Sequence, residues 1–276
     1  MIPRTLHQIW LHGGDLPTAL QRNVDNLRSL NPGWEHRLWT SKEADELLAT
    51  YGGRIAKSYY RIEPRYGAAR ADLLRHLIIY RHGGVYCDIK SGFLRPLDDV
   101  LLPDDDYILC RVPTRHKELP NGELLTHFVI ARSSHPFSAK VIEAILRNIR
   151  NYRPWHAVGR IGVLRTTGPI AYTLAIDRSL DGEQCRFVTE QEIGCYFSID
   201  YDHMSAFPNH YSTLTEPVVR MGAIGTAMSG LFARLRSAVR VHVDAKRPGE
   251  PSEIPSARTT RDASPTPLGQ SSSTQP

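Results

Sequence analysis

Residues 66–92 read YGAARADLLRHLIIYRHGGVYCDIKSG. Ala68, Ala71, Leu74, Ile78 and Ile79 recur at the spacing of one helical face, which predicts a helix from Tyr66 to His82 that packs on a sheet. Gly83-Gly84 follows, in the position where a helix commonly ends on a left-handed residue. Beyond it Val85, Cys87 and Ile89 alternate with Tyr86, Asp88 and Lys90, which predicts a strand over 85–89 with Asp88 and Lys90 on one side. Asp72 and Arg75 lie three apart and share a helix face. If the strand ends at the carboxyl edge of its sheet, its last residues face the crevice where α/β folds bind ligands.

The chemistry of that strand end turns on its third residue. A carboxylate such as Asp88 can hold a hard divalent cation, which would bridge to pyrophosphate oxygens. A second carboxylate two residues on would share the metal, but Lys90 stands there, and an ammonium cannot ligate. Lys90 either touches a phosphate as a point charge or pairs with Asp88 and weakens metal binding. A plain surface Asp–Lys pair at a strand end is the third reading, and it would contribute little.

Working outward, strands and helices alternate. TLHQIWL (5–11) and HRLW (36–39) read as strands, and Leu16 to Leu30 has helical spacing. NPGW (31–34) is a turn, and Ser41 caps a helix over 41–52 with an acidic first turn. YILCRV (107–112) and HFVIAR (127–132) are further strands, and PFSAKVIEAILRNI (136–149) is an amphipathic helix. This pattern predicts an α/β domain with a mainly parallel central sheet. The domain is expected over 1–243, followed by a disordered tail over 244–276 rich in Pro, Ser and Thr.

The 276 residues carry a net charge of +5, consistent with an anionic partner or with an ordinary mildly basic protein. The basic residues are scattered, without an aromatic-interleaved patch, which argues against a nucleic-acid binder. Cys87, Cys110, Cys185 and Cys195 show no paired spacing and sit in apolar surroundings, like thiols of a reducing compartment. With neither a signal pattern nor an 18-residue apolar run, a cytoplasmic location is expected. Residues 218–243 mix apolar side chains with Arg220, Arg234, Arg236 and Arg240. That pattern suits a helix docked on the core, or a basic amphipathic helix lying at the inner face of a membrane. The run Asp104-Asp105-Asp106 reads as a solvated loop rather than a metal cluster, and His7 and His12 as surface or structural residues.

RYGAARADLLRHLIIYRHGGVYCDIK resembles the core of glycosyltransferase family 32, the DXD sugar-binding group that includes initiating mannosyltransferases and capsular polysaccharide enzymes. IPRTLHQIWL (2–11), NPGWEHRLW (31–39) and RTTGP (165–169) resemble further elements of that family in the same order. The resemblance implies a GT-A type, Rossmann-like α/β fold and retaining transfer from a nucleotide-diphosphate sugar to a glycan or lipid-linked acceptor. It implies that Ile9 and Trp10 line the nucleoside pocket, that Asp72 and Arg75 hold the donor, and that Asp88 is the metal-side carboxylate. The implied cofactor is a divalent cation, manganese before magnesium. The chain departs from the family at Lys90, and FPNHYSTL (207–214) supplies His210 as a metal or phosphate contact but lacks the family's Trp. A non-catalytic nucleotide-sugar-binding protein with a degraded DXD site is the alternative.

Overall fold

The structure, a computed structural model, describes residues 1–180, 183–199 and 211–245, with side chains described as far as residue 235. Its first compact unit is Met1–Arg236, and everything described below as the site lies within it. The chain begins β1 (Thr5–Ile9), α1 (Thr18–Leu30), β2 (Glu35–Trp39), α2 (Ser41–Tyr51), α3 (Gly53–Arg61), α4 (Gly67–His82) and β3 (Gly84–Cys87). It continues β4 (Gly92–Phe93), β5 (Tyr107–Val112), β6 (Glu123–Leu124), β7 (Phe128–Ala131), α5 (Pro136–Arg150), α6 (Gly159–Thr166) and α7 (Pro169–Asp177). Then come β8 (Arg186–Val188), α8 (Glu190–Ile193), β9 (Cys195–Tyr196) and α9 (Ala223–Ala245).

The sheet runs β2-β1-β3-β7-β5-β6, with β8 beside β5. β2, β1 and β3 are parallel, but β7 is antiparallel to both β3 and β5. The sheet is therefore mixed where a mainly parallel one was expected. Parallel neighbours need a crossover connection, usually a helix. The chain between β3 and β7 contains only short strands, loops and a short 3-10 turn, so β7 returns in the opposite sense. Helices α4, α5 and α7 pack in the larger core on one side of the sheet, and α1 contributes to a second core on the other.

Helix α4 is buried nearly all round: Leu73, Leu74, Leu77, Ile78 and Ile79 are inaccessible, and so are the polar Asp72, Arg75 and His76. That explains why its sequence is apolar over more than one face. The diglycine after it does more than cap. Gly83 and Gly84 both have positive φ. A Cβ on Gly83 would meet the Ser133 nitrogen at 2.6 Å, and one on Gly84 would meet the Thr5 oxygen at 2.4 Å. Only glycine lets β3 enter between β1 and β7 at this distance.

Three local expectations shift. Thr40, not Ser41, caps α2, in a reciprocal capping box with Glu43. The strand predicted over 85–89 stops at Cys87, because Asp88 to Ser91 forms a turn closed by the Ser91 N–H on the Asp88 carbonyl, 2.8 Å. Strand alternation therefore does not relate Asp88 to Lys90. In the acidic run at 104–106 Asp104 is exposed as expected of a solvated loop, but Asp105 is buried and takes an ion pair from Arg186 at 2.6 Å, and Asp106 pairs with Arg132 at 3.1 Å.

Candidate active site

Arg75 organises the site. Its Nη2 lies 2.8 Å from Asp72 Oδ1 along the helix and 3.4 Å from Asp88 Oδ1 at the end of β3. Its Nη1 donates to the Thr126 carbonyl, and its guanidinium carbon stands 4.9 Å from the centre of the Tyr86 ring. Tyr86 Oη donates to Asp88 Oδ1 at 2.6 Å, and Thr167 Oγ1 donates to Asp72 Oδ2 at 2.8 Å. One cation is thus bracketed by two carboxylates from different elements, with α4 supplying Arg75 and Asp72 and the end of β3 supplying Asp88.

Burial disfavours the Arg75 charge, but Tyr86, Asp88 and Asp72 outweigh it and hold the guanidinium above its ordinary pKa. Burial likewise pushes the Asp72 carboxyl up, against the lowering from Arg75 and Thr167. The Asp72 side chain is 9 % exposed and that of Asp88 24 %. Asp88 therefore carries the open edge of the cluster. Its Oδ1 is taken by Tyr86 and Arg75, leaving Oδ2 for a ligand.

The turn that presents Asp88 is tied down from outside. Asn23 Nδ2 donates to the carbonyls of Ile89 and Ser91 at 3.0 and 2.9 Å, and Tyr196 Oη holds Asn23 Oδ1 at 2.7 Å. Ser91 Oγ donates to the Phe197 carbonyl at 2.6 Å, and the Ile199 N–H donates to the Lys90 carbonyl at 2.9 Å. Lys90 places its ammonium 4.7 Å from the centre of the Phe197 ring. Burial lowers the Lys90 pKa, and Asp88 opposes that shift.

The structure brings Asp72, Arg75 and Asp88 into one cluster, with Lys90 on the adjoining turn. Ile9 and Trp10 are also buried: Ile9 packs in the helix-side core, and the Trp10 indole N–H donates to the Gly14 carbonyl at 3.2 Å. His210 lies outside the described residues. His7 is neither at the surface nor catalytic: it accepts from the Trp39 indole at 3.1 Å and contacts the Gly83 carbonyl at 3.0 Å, bracing the diglycine.

Sequence reasoning missed several neighbours. Thr126 and Thr167 hold Arg75 and Asp72 from afar along the chain. His127 is buried beside Asp88, whose N–H donates to its carbonyl at 2.8 Å. Burial pushes the His127 imidazole down to about 4, and its Nε2 has no hydrogen-bond partner. Tyr211, whose phenol burial pushes up, also feels the charges of Asp72 and Asp88. The RTTGP motif was the one available signal for Thr167; nothing local points to Thr126, His127 or Tyr211.

Comparison with known proteins gives the chain its relatives. The model of the glycosyltransferase sugar-binding region containing the DXD motif matches residues 17–108, a span that holds Asp72, Arg75, Asp88 and Lys90. Over these residues the chain is similar to the DXD glycosyltransferases. Inositol phosphoceramide mannosyltransferase 3 of Schizosaccharomyces pombe is 26% identical over 170 residues, covering 61% of this chain and 43% of that protein. The initiation-specific alpha-1,6-mannosyltransferase of Candida albicans is 31% identical over 103 residues, 35% of this chain and 26% of its own length. The chain thus spans less than half the length of these relatives. Among solved structures, the PaToxG glycosyltransferase superposes with a TM-score of 0.50 at 14% identity, covering 66% of this chain and 70% of that one. The fold is GT-A.

Glycosyltransferases with a DXD region generally use a divalent cation. Among the described residues no three His, Cys, Asp or Glu side chains converge as a metal cage. A magnesium-type cation does not require one, since one or two carboxylates plus substrate phosphates and water suffice. Asp88 Oδ2, at the open edge, suits that single-carboxylate role.

Proposed function

We propose that the chain is a retaining glycosyltransferase that moves a sugar from a nucleotide-diphosphate donor to a glycan or lipid-linked acceptor in the synthesis of surface glycans or glycolipids. The observation that supports it is the Asp72–Arg75–Asp88 cluster, with its buried end on α4 and its open end on the turn after β3. The names of the relatives make mannose the first sugar to test and a phosphoinositol lipid the first acceptor.

In this reading Asp72, oriented by Thr167 and Arg75, accepts from hydroxyls of the donor. Arg75 is positively charged and pre-placed, so it stabilises charge that builds on the departing diphosphate without reorganising. Lys90, on a turn fixed by Asn23, adds a second positive charge for the phosphates. A divalent cation on Asp88, manganese before magnesium, would supply further charge neutralisation. In this reading Asp72 is held through both oxygens by Arg75 and Thr167, and Asp88 Oδ2 is given to the cation, so no carboxylate is assigned as a covalent nucleophile. The leaving phosphate oxygen instead takes the acceptor hydroxyl proton on the face it departs from, which retains configuration. Ile9 and Trp10 are assigned to the nucleoside side by the family resemblance, and the site is taken to work on the cytoplasmic side of the cell.

The test is a thermal-shift screen of nucleotide sugars with and without manganese, followed by donor hydrolysis. Asp88→Asn should lower turnover about 10²–10³-fold while leaving the melting temperature almost unchanged. Normal turnover in that variant would overturn the site assignment, and binding without turnover in the wild type would leave a sugar-nucleotide-binding protein.

A further inference from the structure

Helix α9 docks by one face and leaves another bare. Ser229 is buried, and Phe232 sits 6.4 Å from the Trp155 ring. Ile224, Met228, Leu231 and Leu235 are instead exposed, by 80, 41, 58 and 52 %. At about 100° per residue these four fall within an arc of about 60°, a single apolar stripe along the helix. Isolated exposed apolar residues need no explanation, but a continuous row does. The exposed Arg234 flanks the stripe on one side. Trp155, 53 % exposed, flanks it on the other through its ring contact with Phe232.

A basic cleft lies next to the start of this helix. It has a volume of about 380 Å3 and is lined by Arg54, Lys57 and Arg61 of α3 and Arg150 of α5, with no acidic side chain. The link to α9 is direct: the Arg220 N–H donates to the Arg61 carbonyl at 2.8 Å, and Ile62 pairs with Val219 in an antiparallel bridge. The segment leading into α9 therefore runs along the end of α3. Trp155 follows α5, five residues after Arg150. The basic cleft thus adjoins the segment that leads into α9, and Trp155 touches α9 itself at Phe232.

We propose that this face docks on an anionic phospholipid surface, with the stripe entering the headgroup boundary and the cleft taking a lipid phosphate. Charge complementarity decides the occupant. Four cations without an acidic neighbour would repel the same cleft on a second copy of this chain, whereas they match anionic headgroups. An apolar stripe bordered by arginine and tryptophan is the pattern that buries at the water–lipid boundary. Among the described residues no helix is long and apolar enough to cross a membrane, so the contact is peripheral. It does not depend on the identity of the sugar-transfer site, since none of its residues belongs to the Asp72–Arg75–Asp88 cluster.

The experiment is co-sedimentation of the full chain with vesicles of phosphatidylcholine alone or with 30 mol% phosphatidylserine. Binding should need the anionic lipid and weaken with salt. Arg54→Gln with Lys57→Gln should weaken binding about fivefold per charge removed. Met228→Gln with Leu231→Gln should weaken it about tenfold or more. Circular dichroism and the nucleotide-sugar thermal shift, run on every variant, should match the wild type. Equal binding to both vesicle types, or none, overturns the proposal. So does a dimer, seen by light scattering, that the Met228/Leu231 variant dissolves while vesicle binding persists.

Discussion

Replacing Arg75 with alanine separates a structural ion pair from a charge stored for catalysis. Among the described residues, the change removes the only cation within 4 Å of Asp72, at 2.8 Å, and also a partner of Asp88 at 3.4 Å. Asp72 is left buried with the Thr167 hydroxyl as its remaining donor. Breaking a buried pair by deleting one partner costs about 3–5 kcal/mol, because the other charge stays uncompensated. For a domain of this size each kcal/mol shifts the melting temperature by about 2–4 °C, so a loss of about 6–20 °C is expected. Adding Asp72→Asn removes the orphaned charge while keeping an acceptor for Thr167, and should recover at least about half of that loss. Activity should not recover, because the double variant still lacks the positive charge for the diphosphate. Differential scanning fluorimetry and donor hydrolysis read the two effects separately. An Arg75→Ala protein that melts within about 2 °C of the wild type, or a double variant no more stable than the single, would refute the reasoning.

Three further outcomes follow from the same structure. Gly84→Ala should destabilise by about 3 kcal/mol or more, since φ is +94° and the added Cβ would sit 2.4 Å from the Thr5 oxygen; urea unfolding measures it. Lys90→Ala should raise the apparent KM for the nucleotide sugar with little change in melting temperature, because among the described residues the ammonium rests on the Phe197 face and forms no ion pair. Acid should destabilise the fold through His7, which burial pushes down to about 3. The unfolded chain protonates this imidazole near pH 6.5 while the native state keeps it neutral, so stability falls as pH drops below about 6.5. The contribution reaches about 2 kcal/mol at pH 5, from about 1.4 kcal/mol per pH unit. Urea midpoints at pH 5 and 7.5 that coincide would contradict it.

Much of the site was legible because its geometry is local. Residues three apart on a helix share a face whatever surrounds them, so Asp72 and Arg75 could be paired from their spacing, and the structure joins them at 2.8 Å. The diglycine marked the helix end and the start of the next strand, but Asp88, read as part of that strand, lies just beyond its end at Cys87. Alternation along the expected strand puts Lys90 on the side of Asp88, and that reading fails because a turn at 88–91, held by the contacts of Asn23, Phe197 and Ile199, replaces the last strand residues. The antiparallel return of β7 was hidden for a related reason: strand propensity says that 127–132 is extended, but not which edge it joins.

The sequence by itself determined the helix–diglycine–strand unit and its paired charges, since these depend on backbone period and steric freedom along a short segment. Only the tertiary structure decided what closes around them. Thr126 and Thr167 reach Arg75 and Asp72 across 51 and 95 residues, Tyr86 turns its hydroxyl onto Asp88, and His127 is buried against the same carboxylate. Such partners are chosen by which elements pack together, and packing is a property of the whole core rather than of any stretch within it. The same holds for α9, where the apolar spacing could be read in advance but which stripe stays exposed was set by how the helix docks.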